Sequence, residues 1–220
     1  MKRTHSLTLR LFNIGLVCLL VAATARAAEP VRYKARPGSK VRIDGSANIH
    51  DWSMEGTIIA GWFEVPPGTT IDSSQAGIGG MSGDKLNATA EVSIPVDSMH
   101  SGKQGMDDVM QQAMDSKDHP RIIYKLTDMT LKQPHTAGTP FEFNTKGNLS
   151  INGVTKPVSM LVTVENADKN KLKIIGGPVD INMTDYKVPP PTKFGLFTTK
   201  PDVKISFTWI VGLPKLGPGQ

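Results

Sequence analysis

One cysteine, Cys18, is all that the 220 residues contain, which excludes a disulfide within the chain and any site built from several thiolates. Acidic residues are absent from positions 1–27, where Lys2, Arg3, Arg10 and Arg26 stand. No apolar run reaches the ~20 residues that a helix needs to cross hydrocarbon; the longest, Leu11 to Ala25, is shorter and contains Asn13. Aromatic residues make up only 6% of the chain, so large side chains are few. No His-x-x-x-His spacing, Gly-x-Ser-x-Gly elbow or phosphate-binding loop occurs. Their absence removes the usual signatures of zinc, nucleophilic and nucleotide chemistry. Gly77-Ile78-Gly79-Gly80 does not lead from a strand into a helix and reads as a flexible loop.

What opens the chain is a basic stretch, then an apolar stretch, then Ala25-Arg26-Ala27. These are the three parts of a secretory signal peptide, predicting cleavage near Ala27 and export to the periplasm. Cleavage changes the charge argument. The full chain carries 25 basic and 20 acidic residues, net +5; four of the basic residues leave with residues 1–27, so 21 remain against 20, or +1. Overall charge therefore gives no footprint for nucleic acid or for an anionic membrane. Cys18 leaves as well, so residues 28–220 must be held together by a single core without disulfides. No stable membrane insertion is expected after cleavage.

Residues 28–220 alternate apolar and polar side chains with a period of two, the mark of half-buried antiparallel strands. Val92, Ile94 and Val96 form one such set, Phe141 and Phe143 another, continued by Leu149 and Ile151. Val158, Met160, Val162 and Val164 follow, then Val203, Ile205, Phe207 and Trp209. Asn152-Gly153 between two runs predicts a type I′ turn and a hairpin over 146–164. Further strands are expected at 39–48, 55–65, 86–96, 121–131, 172–184 and 202–212, about eight in all. Pro66 to Gly83 reads as a long loop and Gly212 to Gln220 as a frayed tail.

One segment departs from that period. Met106, Val109, Met110, Ala113 and Met114 recur at helical spacing, Ser101 offers a capping box with Gln104, and Pro120 limits the far end. A single amphipathic helix over 104–117 is expected among the strands. An all-β antiparallel barrel removes the edges that so many strands would expose, with a two-sheet sandwich as the alternative.

Candidate sites are sparse. His50, Asp51 and Trp52 form the most distinctive polar cluster. Adjacent strand residues point apart, so the expected role is a structural corner in which His50 and Asp51 satisfy backbone groups and Trp52 plugs one end of the barrel. His100, His119 and His135 fall at turns or helix ends, and no metal site is expected. The methionines either fill the core or form a deformable apolar lining. Tyr186, Phe194 and Phe197, around Pro189-Pro190-Pro191, border a cavity mouth or form a satellite core.

The order of several motifs resembles the YceI-like family. They are Gly45-Ser46-Ala47-Asn48-Ile49-His50-Asp51-Trp52, Met106-Asp107, His119-Pro120-Arg121-Ile122, Gly147 to Val158 (including Gly153-Val154-Thr155-Lys156), and Met183-Thr184-Asp185-Tyr186 leading to Pro190-Pro191-Thr192 and Phe194-Gly195. The resemblance covers essentially all of residues 28–220. It implies a lipocalin-like barrel in the periplasm whose interior holds a long polyisoprenoid. At the helix end, where family members carry paired aromatics, this chain has Ala113-Met114.

The expected function is therefore a non-enzymatic carrier of an apolar, isoprenoid-like lipid or quinone, with no other cofactor and with homodimerisation left open. The expected lining is Val92, Ile94, Phe143, Ile151, Met160, Val162, Met183 and Phe207, joined by Met106, Met110 and Met114 from the helix. Two other readings are weighed beside it: an interaction module with a filled core, and an enzyme using His50 and Asp51.

Overall fold

The computed structural model describes residues 28–193 and 197–214, with backbone alone for Lys193 and Phe197. The expected signal peptide, Phe194 and most of the tail lie outside the described residues. Strands follow in the order β1 (Val31–Ala35), β2 (Lys40–Ala47), β3 (Asp51–Gly56), β4 (Ala60–Val65), β5 (Thr89–Pro95) and β6 (Met99–His100). Helix α1 (Gln104–Ala113) interrupts them. After it come β7 (Arg121–Leu131), β8 (Phe141–Ile151), β9 (Val154–Asp168), β10 (Lys171–Asn182), β11 (Thr192–Lys193) and β12 (Phe197–Gly212).

The strands form an antiparallel barrel of eight with additional strands and one helix, as expected. The closed wall runs β1-β4-β5-β7-β8-β9-β10-β12 and shuts where Lys34 and Ala35 meet Gly212 and Val211. β12 is 16 residues long, and only its last residues make that seam. Its earlier part, Thr199 to Thr208, pairs instead with β2. From β2 the pairing continues to β3 and β6, so a flap of three strands extends from the barrel at one end and leads into α1.

Alternation sets which side chains enter. Along β8, Phe141, Phe143, Thr145, Leu149 and Ile151 are buried at every second or fourth position, while Asn144, Lys146 and Asn148 are exposed. Asn152 and Gly153 take positive φ of 48° and 71° and carry the chain straight into β9, the two-residue turn that the Asn-Gly pair dictates.

The barrel is filled at one end. Phe141, Phe143, Val164, Leu172, Trp209 and Val211 pack there with at most 2% exposure. The segment after β4 covers them. Pro66 to Gly83 is accordingly a packed cap rather than an open loop, because Ile71, Ile78 and, just beyond it, Leu86 turn inward and are buried. Ile78 belongs to the glycine-rich stretch read as flexible. Asn166 pins this cap, accepting from the Ser73 amide at 2.8 Å and donating to the Ile71 carbonyl at 3.2 Å. The His135 ring stacks on Phe141 at 3.8 Å.

Three further expectations change. The run 55–65 is broken at Thr57–Ile59 into the end of β3 and all of β4, and β1 is an additional strand. The helix ends at Ala113 rather than 117, since Asp115 adopts a left-handed φ of 49°. Ser101 does not cap it: the residue before the helix is Lys103, which makes no side-chain cap bond. The Ser101 hydroxyl is committed elsewhere, to Asp107.

Candidate functional site

The other end of the barrel is hollow. A cavity of about 590 Å³ lies between α1, the β2–β3 flap and the ends of β7, β8, β10 and β12. Beneath it a second, smaller chamber of about 80 Å³ reaches toward the filled end. Ile43, Ile122, Ile181 and Ile205 line both, so the two chambers adjoin, a wide outer one and a narrow inner one that together form the lumen.

The outer walls are almost wholly apolar. Met106, Val109, Met110, Ala113 and Met114 present the stripe of α1; Met54 and Trp52 come from β3, Ile151 from β8, and Met183, Tyr186 and Val188 from the 3-10 turn after β10 and the segment beyond it. His50, Lys103, Thr192 and Thr199 add polar side chains to the lining, and no carboxylate lines either chamber. Burial drives the Tyr186 phenol above its ordinary pKa, assisted by neighbouring Asp185.

Nine of the eleven expected lining residues face this lumen. Met106, Met110, Met114, Ile151 and Met183 belong to the outer chamber, and Val92, Ile94, Met160 and Phe207 to the inner one. Phe143 and Val162 do not; they point inward in the filled half, 0% and 6% exposed. Alternation states which face a side chain takes but not its depth along the barrel, and these two lie too deep.

The corner differs from its expected role. His50 lines the rim, Trp52 forms part of the cavity wall, and Asp51, paired with Ser46, lies on the opposite side of β3. His50 and Asp51 thus diverge. Trp52 is a wall and not a plug because its ring lies flat over Gly45 on the paired strand: a Cβ there would come within 2.2 Å of it. The same device recurs twice inside. Phe207 lies over its partner Gly176, and Tyr124 over Gly147, where added Cβ atoms would meet the rings at 2.3 Å. Glycine beneath each ring lets the aromatic lie along the wall, leaving the lumen open. Spacing of apolar residues carries no sign of this; the glycines at alternate strand positions do.

α1 is held by one buried charge. Asp107 is 4% exposed, and it accepts from the Ser101 hydroxyl at 2.6 Å and the Ser101 amide at 2.7 Å. His100 Nδ1 lies 3.2 Å from its other oxygen. These bonds, the Ser101 hydroxyl foremost, hold the carboxyl below its usual range against the opposing effect of burial. The anchor faces β6 and leaves the methionine stripe to the lumen.

Among the described residues, no three His, Cys, Asp or Glu side chains gather as metal ligands. No helix there is long and apolar enough to cross a membrane.

Solved structures share this architecture. The chain is similar to a polyisoprenoid-binding domain from Saccharophagus degradans implicated in plant cell wall breakdown, at 12% identity and a TM-score of 0.59, covering 84% of this chain and 100% of that one. It is similar to BcnA of Burkholderia cenocepacia at 18% identity and a TM-score of 0.57, with coverages of 78% and 95%. A YceI protein of Campylobacter jejuni aligns at 16% identity and a TM-score of 0.50, over 74% and 85%. No curated protein matches by sequence. The sequence pattern of the YceI-like domain, however, matches residues 39–210, from the start of the flap to the end of the barrel. With its motifs, hollow end and filled end accounted for within that span, this chain belongs to the YceI-like family.

Proposed function

We propose that this protein is exported and, in the periplasm, binds and carries a long apolar lipid of isoprenoid type, a quinone being one candidate, without catalysing a reaction on it. The observation that carries the reading is the lumen: about 590 Å³ walled by methionine, isoleucine and aromatic side chains, with no carboxylate among its lining residues. A space of this size lies in the range of small-molecule sites. Each 100 Å² of hydrocarbon surface withdrawn from water contributes about 2.5 kcal/mol, so a chain needs no polar contact inside to be retained. Unbranched methionines on α1 adapt to an irregular ligand. The Saccharophagus relative, described as polyisoprenoid-binding, supports the choice of lipid class. The diverging His50 and Asp51 offer no acid–base pair.

Native mass spectrometry of the protein purified from its own periplasm, with organic extraction of what it holds, tests this. A stoichiometric isoprenoid-like mass on a chain beginning near residue 28 is expected. A bare chain that stays bare after incubation with quinones and polyprenols would overturn the carrier reading and favour a surface-interaction module.

A further inference from the structure

Buried apolar residues explain the lumen, but three large apolar side chains, Ile49, Ile58 and Leu161, are exposed outside it. Ile49 is 60% exposed, the most exposed large hydrophobic residue described. It stands at the tip of the β2–β3 turn, between Asn48, which is tied to Thr198 on β12, and His50, which lines the rim. The tip is held firmly: the Ala47 amide donates to the His50 carbonyl at 3.0 Å, and the Asn48 amide to the Thr198 carbonyl at 3.1 Å.

Three exposed lysines stand around that tip. Lys103 lines the rim where α1 begins. Lys187 follows the lining residue Tyr186, and Lys200 follows the lining residue Thr199, which pairs with Ala47. All three lysines are exposed, and among the described residues none of them enters an ion pair. Of the nearby carboxylates one is neutralised, two accept from neutral amides and one faces outward. Asp185 is held by Lys156 at 2.8 Å, Asp202 accepts from Asn182 at 2.9 Å, and Asp108 accepts from Gln104 at 2.7 Å. Asp51 is exposed but lies on the outer side of β3.

We propose that the lumen's rim is a docking surface for an anionic phospholipid bilayer, with Ile49 entering the headgroup region and Lys103, Lys187 and Lys200 meeting the lipid phosphates. An exposed aliphatic side chain ringed by cations is what an interfacial contact requires: apolar area for the acyl boundary and positive charge for the anionic headgroups. Docking there turns the open end of the lumen toward the acyl chains. A lipid then passes between bilayer and barrel without crossing water. The surface does not depend on which lipid fills the lumen.

Ile58 supplies an internal control. It is also exposed, at 52%, but it follows the other end of β3, and six strand residues put it about 20 Å from the rim.

The experiment is co-sedimentation of the exported protein with phosphatidylcholine vesicles with and without phosphatidylglycerol, across a salt series. Binding that needs phosphatidylglycerol and fades with salt is expected. Lys187→Gln and Lys200→Gln should each weaken it by about fivefold, one surface charge's share, and Ile49→Ser should weaken it at every salt concentration. Ile58→Ser should leave it unchanged. Native mass spectrometry of the same variants reads lumenal lipid separately, so failure of docking and failure of carriage are distinguishable. No binding to anionic vesicles at low salt, or equal losses from Ile49→Ser and Ile58→Ser, would overturn the proposal. So would a concentration-dependent dimer abolished by Ile49→Ser, which would make a second copy the occupant of this face.

Discussion

Asp107 is a buried charge, and its bonds to Ser101 and His100 are what make that tolerable. Asp107→Asn retains the shape but loses the charged acceptor. Hydrogen bonds to a charged group contribute about 1.5–3 kcal/mol, so urea unfolding should report a loss of that order. The acid limb provides a second reading. The folded-state pKa of Asp107 is lowered, so its contribution is fully present above the ordinary carboxylate value of about 3.9. It disappears as pH falls below that value and through the lowered folded one. Wild type and Asp107→Asn should therefore differ at neutral pH and converge in acid; a constant gap would deny Asp107 this role. Gly176 acts through space instead. In Gly176→Ala the new methyl must displace the Phe207 ring from the wall, with an overpacking cost of about 1–3 kcal/mol. The displaced ring then occupies the inner chamber. Lower stability together with weaker lipid retention is expected, whereas an unchanged affinity would mean that the inner chamber holds no ligand.

Among the elements, the β8–β9 hairpin was the most legible in sequence, because Asn152-Gly153 fixes both the turn and the register of 11 paired residues on either side. Gly153→Ala tests this. It forces a side chain into positive φ, costing about 1–2 kcal/mol, and aims it at the His119 ring 2.7 Å away. A drop in thermal stability with the lumen still able to hold lipid is expected; a stability equal to wild type would count against the turn's importance. Other elements were read less well for physical reasons. β1 offers only Val31, Tyr33 and the small Ala35 as inward residues, too little for a period to stand out. The 55–65 run looks continuous since Ile58 and Ile59 are apolar, yet Ile58 faces solvent in a turn. The stripe of α1 was plain, but its end at Ala113 depends on the backbone of Asp115, which no periodicity records. Of the lining, the helix methionines were found because spacing alone places them. Tyr186 was expected only as one of two alternatives and Trp52 only as a plug, and Val188 was missed, because a 3-10 turn, a corner and a connection put them there.

For the whole molecule, half the barrel is packed and half is hollow, so stability rests on the filled end while the open end gains from its occupant. A ligand that binds only the folded state stabilises it in proportion to the logarithm of its saturation, about 2.7 kcal/mol at a hundredfold excess over Kd. Stripping the protein of lipid should lower its unfolding temperature, and adding lipid back should restore it. Calorimetry giving identical curves for the two forms would argue against a lumenal ligand. With a single cysteine in the chain, no intramolecular disulfide can compensate for an emptied lumen.

The double allegiance of β12 also governs the order in which this protein can come into being. β2 finds β3 within a few residues, but its other edge waits for Thr199 to Thr208, more than 150 positions later. β1 likewise waits for Val211 and Gly212. Until those residues leave the ribosome, the barrel has no seam and the rim has no second side. A partly made chain therefore cannot trap a lipid, because neither the chamber's wall nor the barrel's seam is complete without β12.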